Sequence, residues 1–522
     1  MIGRLATMNR IGLVTAWAWS ACAVGSLLDI GACAAEWRAT PRIAVRESVT
    51  DNVRLTRDDR RTDLVTTLSP GIALSATGGR IRFDLDYAAN YDSYMNTSAY
   101  DGLRHDLRGL GTVELLRDRL HVDIAAFAGQ SPILARGQAS GIDRGLGAGG
   151  TSQIFSHSVS PYWRSRLGSW SEAELRYRFG QILSRRQSGD DDGVGSPPLL
   201  ADTDMHSLSG DLRSGEAFGR LRWRVGANRV EAFRDTTSAT SASTAYRRQT
   251  LELQPAYTLA RWITLLATAG YENIESDDFR RPIEGGFWNG GVRLTPSQRS
   301  SVELTYGGRY GGPNWSASAS LETPAGTRLA LSYREAVETQ ALQALEGLGF
   351  LVRDLAGNIV DTRTGLPYMG RDPFFDQSDR VFLGRALTLN LRIPFPRDTL
   401  LLSAQQATRA TGFADTIDGP GREDRSRSLS ATWERQVTPT ATTTARIFAL
   451  ETRSDPGDGT PIGRSRQIGI RFGLDFALND TLRLGAGYSL LQRDVTDGGA
   501  ANTRFTGDYV ENVVFVSLRK TF

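Results

Sequence analysis

Ile81-Arg82-Phe83-Asp84-Leu85-Asp86-Tyr87 is the stretch whose reading decides the fold. Apolar residues take every odd position and charges every even one, the period of an extended strand with two unlike faces. A sheet buried on both faces cannot hold Arg82, Asp84 and Asp86 on one of them, because unpaired buried charges cost several kcal/mol each. A half-buried strand of a soluble sandwich would satisfy this one segment equally well, so repetition decides. The same alternation returns at 120–124, 173–179, 328–334 and 467–476. In each case one face suits hydrocarbon and the other suits water.

The connections carry an independent signal, because short ones and long ones take turns. Short polar turns fall near 77–80, 117–119, 167–170, 259–262, 295–300, 323–327, 438–440 and 479–480. Between them lie the longer stretches 54–63, 131–150, 184–204, 411–423 and 494–506. A soluble sandwich has no reason to keep that parity, whereas a transmembrane β-barrel has short periplasmic turns and long outer loops. The spacing predicts an all-β, antiparallel up-and-down barrel of roughly 22 strands, an even number as single-chain bacterial barrels require. The last strand points the same way. Val514, Val516, Leu518 and the terminal Phe522 share a face, and such a carboxyl-terminal aromatic is the expected assembly signal for the barrel-assembly machinery. Lys520 on that face is expected at the periplasmic rim, where its long stem lets the ammonium reach the headgroups.

A length of 522 residues would otherwise suggest three or four soluble domains. Charged residues at 23% and apolar residues at 40% exclude a disordered chain. A net charge of +3 from 61 basic and 58 acidic residues gives no support to a nucleic-acid partner. Arg4 and Arg10, the apolar run 11–28 and Ala32-Cys33-Ala34 make 1–35 a signal peptide, leaving 36–522 as the barrel. Ile30-Gly31-Ala32-Cys33 also loosely resembles a lipoprotein cleavage box, although Asp29 interrupts the run before it. Both readings send the chain out of the cytoplasm. Cys22 and Cys33 fall inside the leader, so the mature chain cannot be a disulfide scaffold, a cysteine–zinc protein or a thiol enzyme. Alternation begins by Ile43, which leaves no room for an N-terminal plug domain.

The chemistry-bearing motifs of common enzymes and metal sites are missing, so the expectation is no enzyme, no metal and no cofactor. His105, His121, His157 and His206 are scattered, and His121 falls on the inward parity. The loop residues Asp190–Asp192 read as a solvated tip, with Ca²⁺ or lipopolysaccharide as the other possible occupant. The lumen-facing parity collects Arg82, Asp84, Asp86, Asp123, Glu174, Arg176, Arg178, Arg222, Arg224, Glu252, Arg293 and Glu303. It continues with Arg328, Arg334, Arg392, Arg446, Arg471 and Arg483. Arginine stays charged and grips carboxylates with two parallel bonds, so this set either rigidifies the wall or lines a polar path for sugars and acidic polymers. One connection stands apart. Residues 339–377 open with a helix-like stretch at 340–348 and carry Tyr368, Phe374 and Phe375. A connection that long is functional or disordered, and its apolar content argues for order. It either enters the lumen as a constriction or lies outside as a flap, the flap being the plainer expectation.

Several segments resemble the outer-membrane β-barrel family of PEP-CTERM/exosortase and exopolysaccharide loci. They are 48–55 (SVTDNVRL), 63–74 (DLVTTLSPGIAL), 157–178 (HSVSPYWRSRLGSWSEAELRYR), 379–389 (DRVFLGRALTL) and 517–522. The resemblance implies the outer membrane and a role in polysaccharide export or biosynthesis, with export components as partners. It brings no catalytic residues. The expected function is a conduit for exopolysaccharide export, or an accessory to one, in contact with outer-membrane lipid and lipopolysaccharide. The alternatives are a general diffusion porin, or a structural or adhesive barrel that binds surface polymer.

Overall fold

A computed structural model of the chain describes residues 35–132, 151–186, 200–234, 243–353, 359–361, 375, 378, 380–412, 421–455, 463–496 and 508–522. The leader, apart from Ala35, lies outside the described residues, as do Asp190–Asp192, Tyr368 and Phe374.

The chain opens with β1 (Glu36–Thr50), β2 (Asp63–Thr77), β3 (Ile81–Tyr94), β4 (Gly102–Leu116), β5 (Leu120–Pro132) and β6 (Thr151–Leu167). There follow β7 (Ser171–Arg186), β8 (Thr203–Ser214), β9 (Leu221–Arg234), β10 (Ser243–Ala260), β11 (Ile263–Glu275) and β12 (Ile283–Ser297). Next come β13 (Ser300–Arg309), β14 (Gly312–Glu322), β15 (Arg328–Glu338), helix α1 (Gln340–Leu348), and a small hairpin, β16 (Leu351–Arg353) with β17 (Ile359–Asp361). The wall resumes with β18 (Phe382–Pro394), β19 (Asp398–Ala410), β20 (Glu423–Thr438), β21 (Ala441–Asp455), β22 (Gly463–Ala477), β23 (Leu482–Thr496) and β24 (Tyr509–Thr521).

Every wall strand pairs antiparallel with its neighbours in sequence, and β15 pairs β18 across the long connection. β1 also pairs β24, from Arg42↔Thr521 to Thr50↔Val513, so the sheet closes into a barrel of 22 strands. Closure matters because an open edge in hydrocarbon would leave backbone N–H and C=O groups without partners. Alternation then sorts the side chains. Leu251, Trp288, Leu429, Ile447, Ile468, Ile470, Phe472, Val514 and Val516 project outward as exposed apolar groups, the surface an outer-membrane barrel offers to lipid. The rim that holds the carboxyl terminus carries the turns 78–80, 117–119, 168–170, 215–220, 261–262, 298–299, 323–327, 395–397, 439–440 and 478–481. That rim is periplasmic by the usual barrel asymmetry.

The loop parity has one exception on the outer rim. β13 and β14 are joined only by Tyr310 and Gly311, with φ of 55° and 75°. Two consecutive left-handed residues make the tight hairpin turn whose twist matches paired strands, and glycine at the second position relieves the strain there. The wall is therefore low at this point, next to where β15 leads into the long connection.

Candidate functional site

The lumen wall is built by side chains one residue out of phase with the lipid-facing ones. On β3, Asp86 accepts two hydrogen bonds from Arg42 of β1, each 2.6 Å. Arg82 is exposed to the lumen, and Asp84 shares its face. Arg176 of β7 donates to Asp123 of β5 at 2.8 Å and to Glu174 at 3.1 Å, and its guanidinium lies 3.8 Å over the Tyr162 ring. Arg164 joins the cluster at Glu174 Oε2, 2.9 Å away. Arg224 bridges Asp211 and Glu252, the latter at 2.9 Å, while Arg222 is exposed. Arg293 meets Glu303 at 2.7 Å, Arg328 meets Glu322 at 3.4 Å, and Arg334 meets Glu338 at 3.1 Å. Arg392 sits opposite Arg328 in the register, and Arg446 opposite Arg471. Arg46 and Arg471 stack on the inward ring of Phe515, 3.9 and 5.2 Å from its centroid. That ring lies flat because Gly487 faces it: a Cβ there would fall 2.6 Å from the Phe515 ring edge. Sequence parity thus collects these residues on one face, and the register decides which of them are ion-paired.

His121 faces the lumen and stacks on Tyr162 at 5.0 Å. His105, His157 and His206 lie on the outward face, packed against Tyr87, Phe155, Phe179 and Phe233. Among the described residues no group of His, Cys, Asp or Glu is arranged to hold a metal ion. Phe522 is exposed on the outer face at the periplasmic rim, its N–H donating to Pro41 O at 2.9 Å.

The described start of the long connection, α1, enters the barrel, which for these residues corrects the expectation of an external flap. Thr339 caps α1, its Oγ1 accepting from Leu342 N at 3.1 Å. Leu342, Leu345 and Leu348 are at most 2% exposed and join Ala125, Phe127, Ile154, Ile182, Met205, Val230, Tyr246 and Ile274 in one apolar cluster. Those partners are inward-facing residues of β5–β11, and β5 stands across the ring from β15. The helix therefore crosses the outer part of the lumen. Gly180 makes room for it, since an added Cβ would lie 3.3 Å from Leu345 Cδ2 and 3.2 Å from Met205 Cε.

Polar contacts pin the segment at both ends. Arg248 of β10 donates to Glu346 at 2.6 Å, with both side chains largely buried. Tyr246 Oη donates to Val337 O at 2.8 Å, drawing the top of β15 inward. Gln340 Oε1 accepts from Ser378 N at 2.9 Å, and Asp278 Oδ2 accepts from Val381 N at 2.9 Å. Of the three predicted constriction aromatics only Phe375 is described. It is buried, with the Arg409 guanidinium 4.3 Å from its centroid, and Arg409 also donates to Gln343 at 3.3 Å. Arg178 reaches the carboxyl end of α1, where a Cβ on Gly349 would sit 2.5 Å from its Nη2. A cation there favours the carbonyl end of a helix.

Parity alone misses the inward apolar patch that receives α1. A signal for it exists, because alternation fails near the outer ends of these strands. Ile124-Ala125-Ala126-Phe127-Ala128 on β5 and Ile182-Leu183 on β7 are apolar on both faces.

No family model matches the chain, and no curated protein matches it in sequence. Among solved structures it is similar to the siderophore receptor PirA from Acinetobacter baumannii, with TM-score 0.51 and 9% identity over 93% of this chain and 80% of that one. It also aligns with a mutant of the ferric enterobactin receptor PfeA from Pseudomonas aeruginosa at TM-score 0.49, with 13% identity over 93% and 81% of the two chains. OccK2 (OpdF) of Pseudomonas aeruginosa aligns at TM-score 0.36, with 12% identity over 93% and 98%. The first similarity supports the fold. By closed sheet, outward apolar face and charged interior, this chain is an outer-membrane β-barrel.

Proposed function

We propose that the protein is an outer-membrane porin, a passive channel for small polar solutes with a preference for anions. Its bore is set by the inward α1 segment. One observation carries this reading. Arg82, Arg222, Arg392, Arg483 and Arg519 are exposed on the lumenal face toward the periplasmic end, and none is hydrogen-bonded or ion-paired among the described residues. These five arginines outnumber the exposed inward carboxylates Glu434 and Asp475 at this end, and an excess of one sign of charge along a low-dielectric wall concentrates counter-ions and eases their passage. Export of an acidic exopolysaccharide, the role implied by the resemblance, is the second reading, because the same arginines suit a polyanion.

Planar-bilayer recording of the refolded protein under a KCl gradient tests the channel. The reversal potential should show anion preference, and the triple variant Arg82→Glu/Arg222→Glu/Arg392→Glu should move it toward cations. Deleting 340–372 should leave the barrel assembled, because the β15–β18 register does not involve these residues. It should also raise conductance several-fold and sensitise cells to large antibiotics. A deletion variant that folds and conducts no ions would overturn the channel reading. Current block by the native polymer from the periplasmic side only would favour export over general diffusion.

A further inference from the structure

The outer rim of β20–β22 carries a row of like charges on the face that points away from the lumen. Arg425, Arg453 and Arg464 are direct register partners across these three strands. Like charges directly opposite one another destabilise a sheet, so three in a row is an arrangement that an anion would offset. Arg453 makes no hydrogen bond or ion pair among the described residues. Arg425 has a buried Nε without a partner, although its Nη2 donates to Glu423 at 2.8 Å. One step toward the membrane the row is Arg427, Glu451, Arg466 and Asp494. Glu451 is shared by Arg464 at 2.8 Å and Arg466 at 3.3 Å, and among the described residues Arg427 donates only to Gln406, at 3.2 Å. Glu423 with its register partner Asp455, Glu451 and Asp494 are the four carboxylates these strands add to this patch, against five guanidinium groups.

Directly below, on the same outward face, come Leu429, Ile447, Ile468 and Ile470, at 60%, 50%, 50% and 43% exposure. Basic groups immediately above a lipid-facing apolar band meet the plane where phosphorylated headgroups lie. We propose that this patch is a binding site for a phosphorylated glycolipid of the outer leaflet, the lipid A portion of lipopolysaccharide. Its phosphates sit across Arg425, Arg453 and Arg464, and its acyl chains run down over the leucine and isoleucines. Charge complementarity and continuity with the apolar band favour a lipid over free phosphate or a soluble acidic polymer, which have no use for that band.

The test uses the full-length refolded protein in detergent, titrated with bis-phosphorylated lipid A and followed by native mass spectrometry and thermal unfolding. Wild type should retain lipid A, and the fully dephosphorylated lipid should bind about tenfold more weakly or worse, since the charge-assisted bonds are lost. Arg425→Gln/Arg453→Gln/Arg464→Gln should lose binding to a similar degree, whereas Arg229→Gln/Arg247→Gln on the far wall should not. Arg453→Gln alone supplies a sign test. It should raise the unfolding temperature in anion-free detergent, by relieving the row, and abolish the rise that lipid A gives wild type. Should the triple variant fail to fold, the two lipids on wild type still decide. Equal binding of both lipids, displacement of lipid A by millimolar inorganic phosphate, or displacement by an acidic polysaccharide would each overturn the proposal.

Discussion

Truncating Leu345 to alanine should loosen the lumenal helix without touching the barrel. Leu345 is fully buried, seated over Gly180 and against Met205 on the opposite wall. Removing three carbons forfeits about 2.4 kcal/mol at ~0.8 kcal/mol per buried methylene. The cavity left behind brings the usual range for Leu→Ala to about 2–5 kcal/mol. Each 1.4 kcal/mol is a factor of ten, so the undocked population should rise about 30-fold at the lower figure and by more than 10³ at the upper. The assay is single-channel recording of Leu345→Ala and of Leu342→Ala/Leu345→Ala beside wild type, scored by the frequency and dwell time of a high-conductance level. Heat-modifiable gel migration should not change, because β5–β8 and β15–β18 keep their ladders. Wild-type gating in both variants, with the fold intact, would refute the view that this packing holds the constriction shut.

Other outcomes follow from the same geometry. Arginine at Tyr177 or Phe472, both exposed on the lipid face, should impair assembly by ~2–4 kcal/mol near the bilayer midplane, as urea titration of refolded protein would show. Ser332→Arg on the lumenal face should be mild. Asp86→Arg and Glu174→Arg should not be mild, although they share that face. The first sets a second cation against Arg42, and the second deprives Arg164 and Arg176 of their common carboxylate. Equal tolerance at all five positions would contradict the face assignment. Cell fractionation should place the mature chain in the outer membrane with heat-modifiable migration, and recovery from the soluble periplasm would contradict the fold itself.

Strand existence, facing and loop parity were legible in the chain because each is local. A residue's side of a strand depends only on its position modulo two, and hydrocarbon on one side with water on the other imposes that period everywhere. The helix at 340–348 was legible too, from its short-range pattern. Its destination was not. Whether it lies outside or inside depends on Leu345 meeting Gly180 and Glu346 meeting Arg248, residues about 100 to 165 positions apart that only barrel closure brings together. The same holds for the arginines. Their face was readable from parity, but Arg176 is held by two carboxylates while Arg222 and Arg392 have no hydrogen-bond or ion-pair partner among the described residues, and only cross-strand register draws that distinction. The row Arg425, Arg453 and Arg464 shows the limit most plainly. Each residue alone is an ordinary rim charge, and their alignment into one like-charged line exists only once β20, β21 and β22 have fixed their stagger.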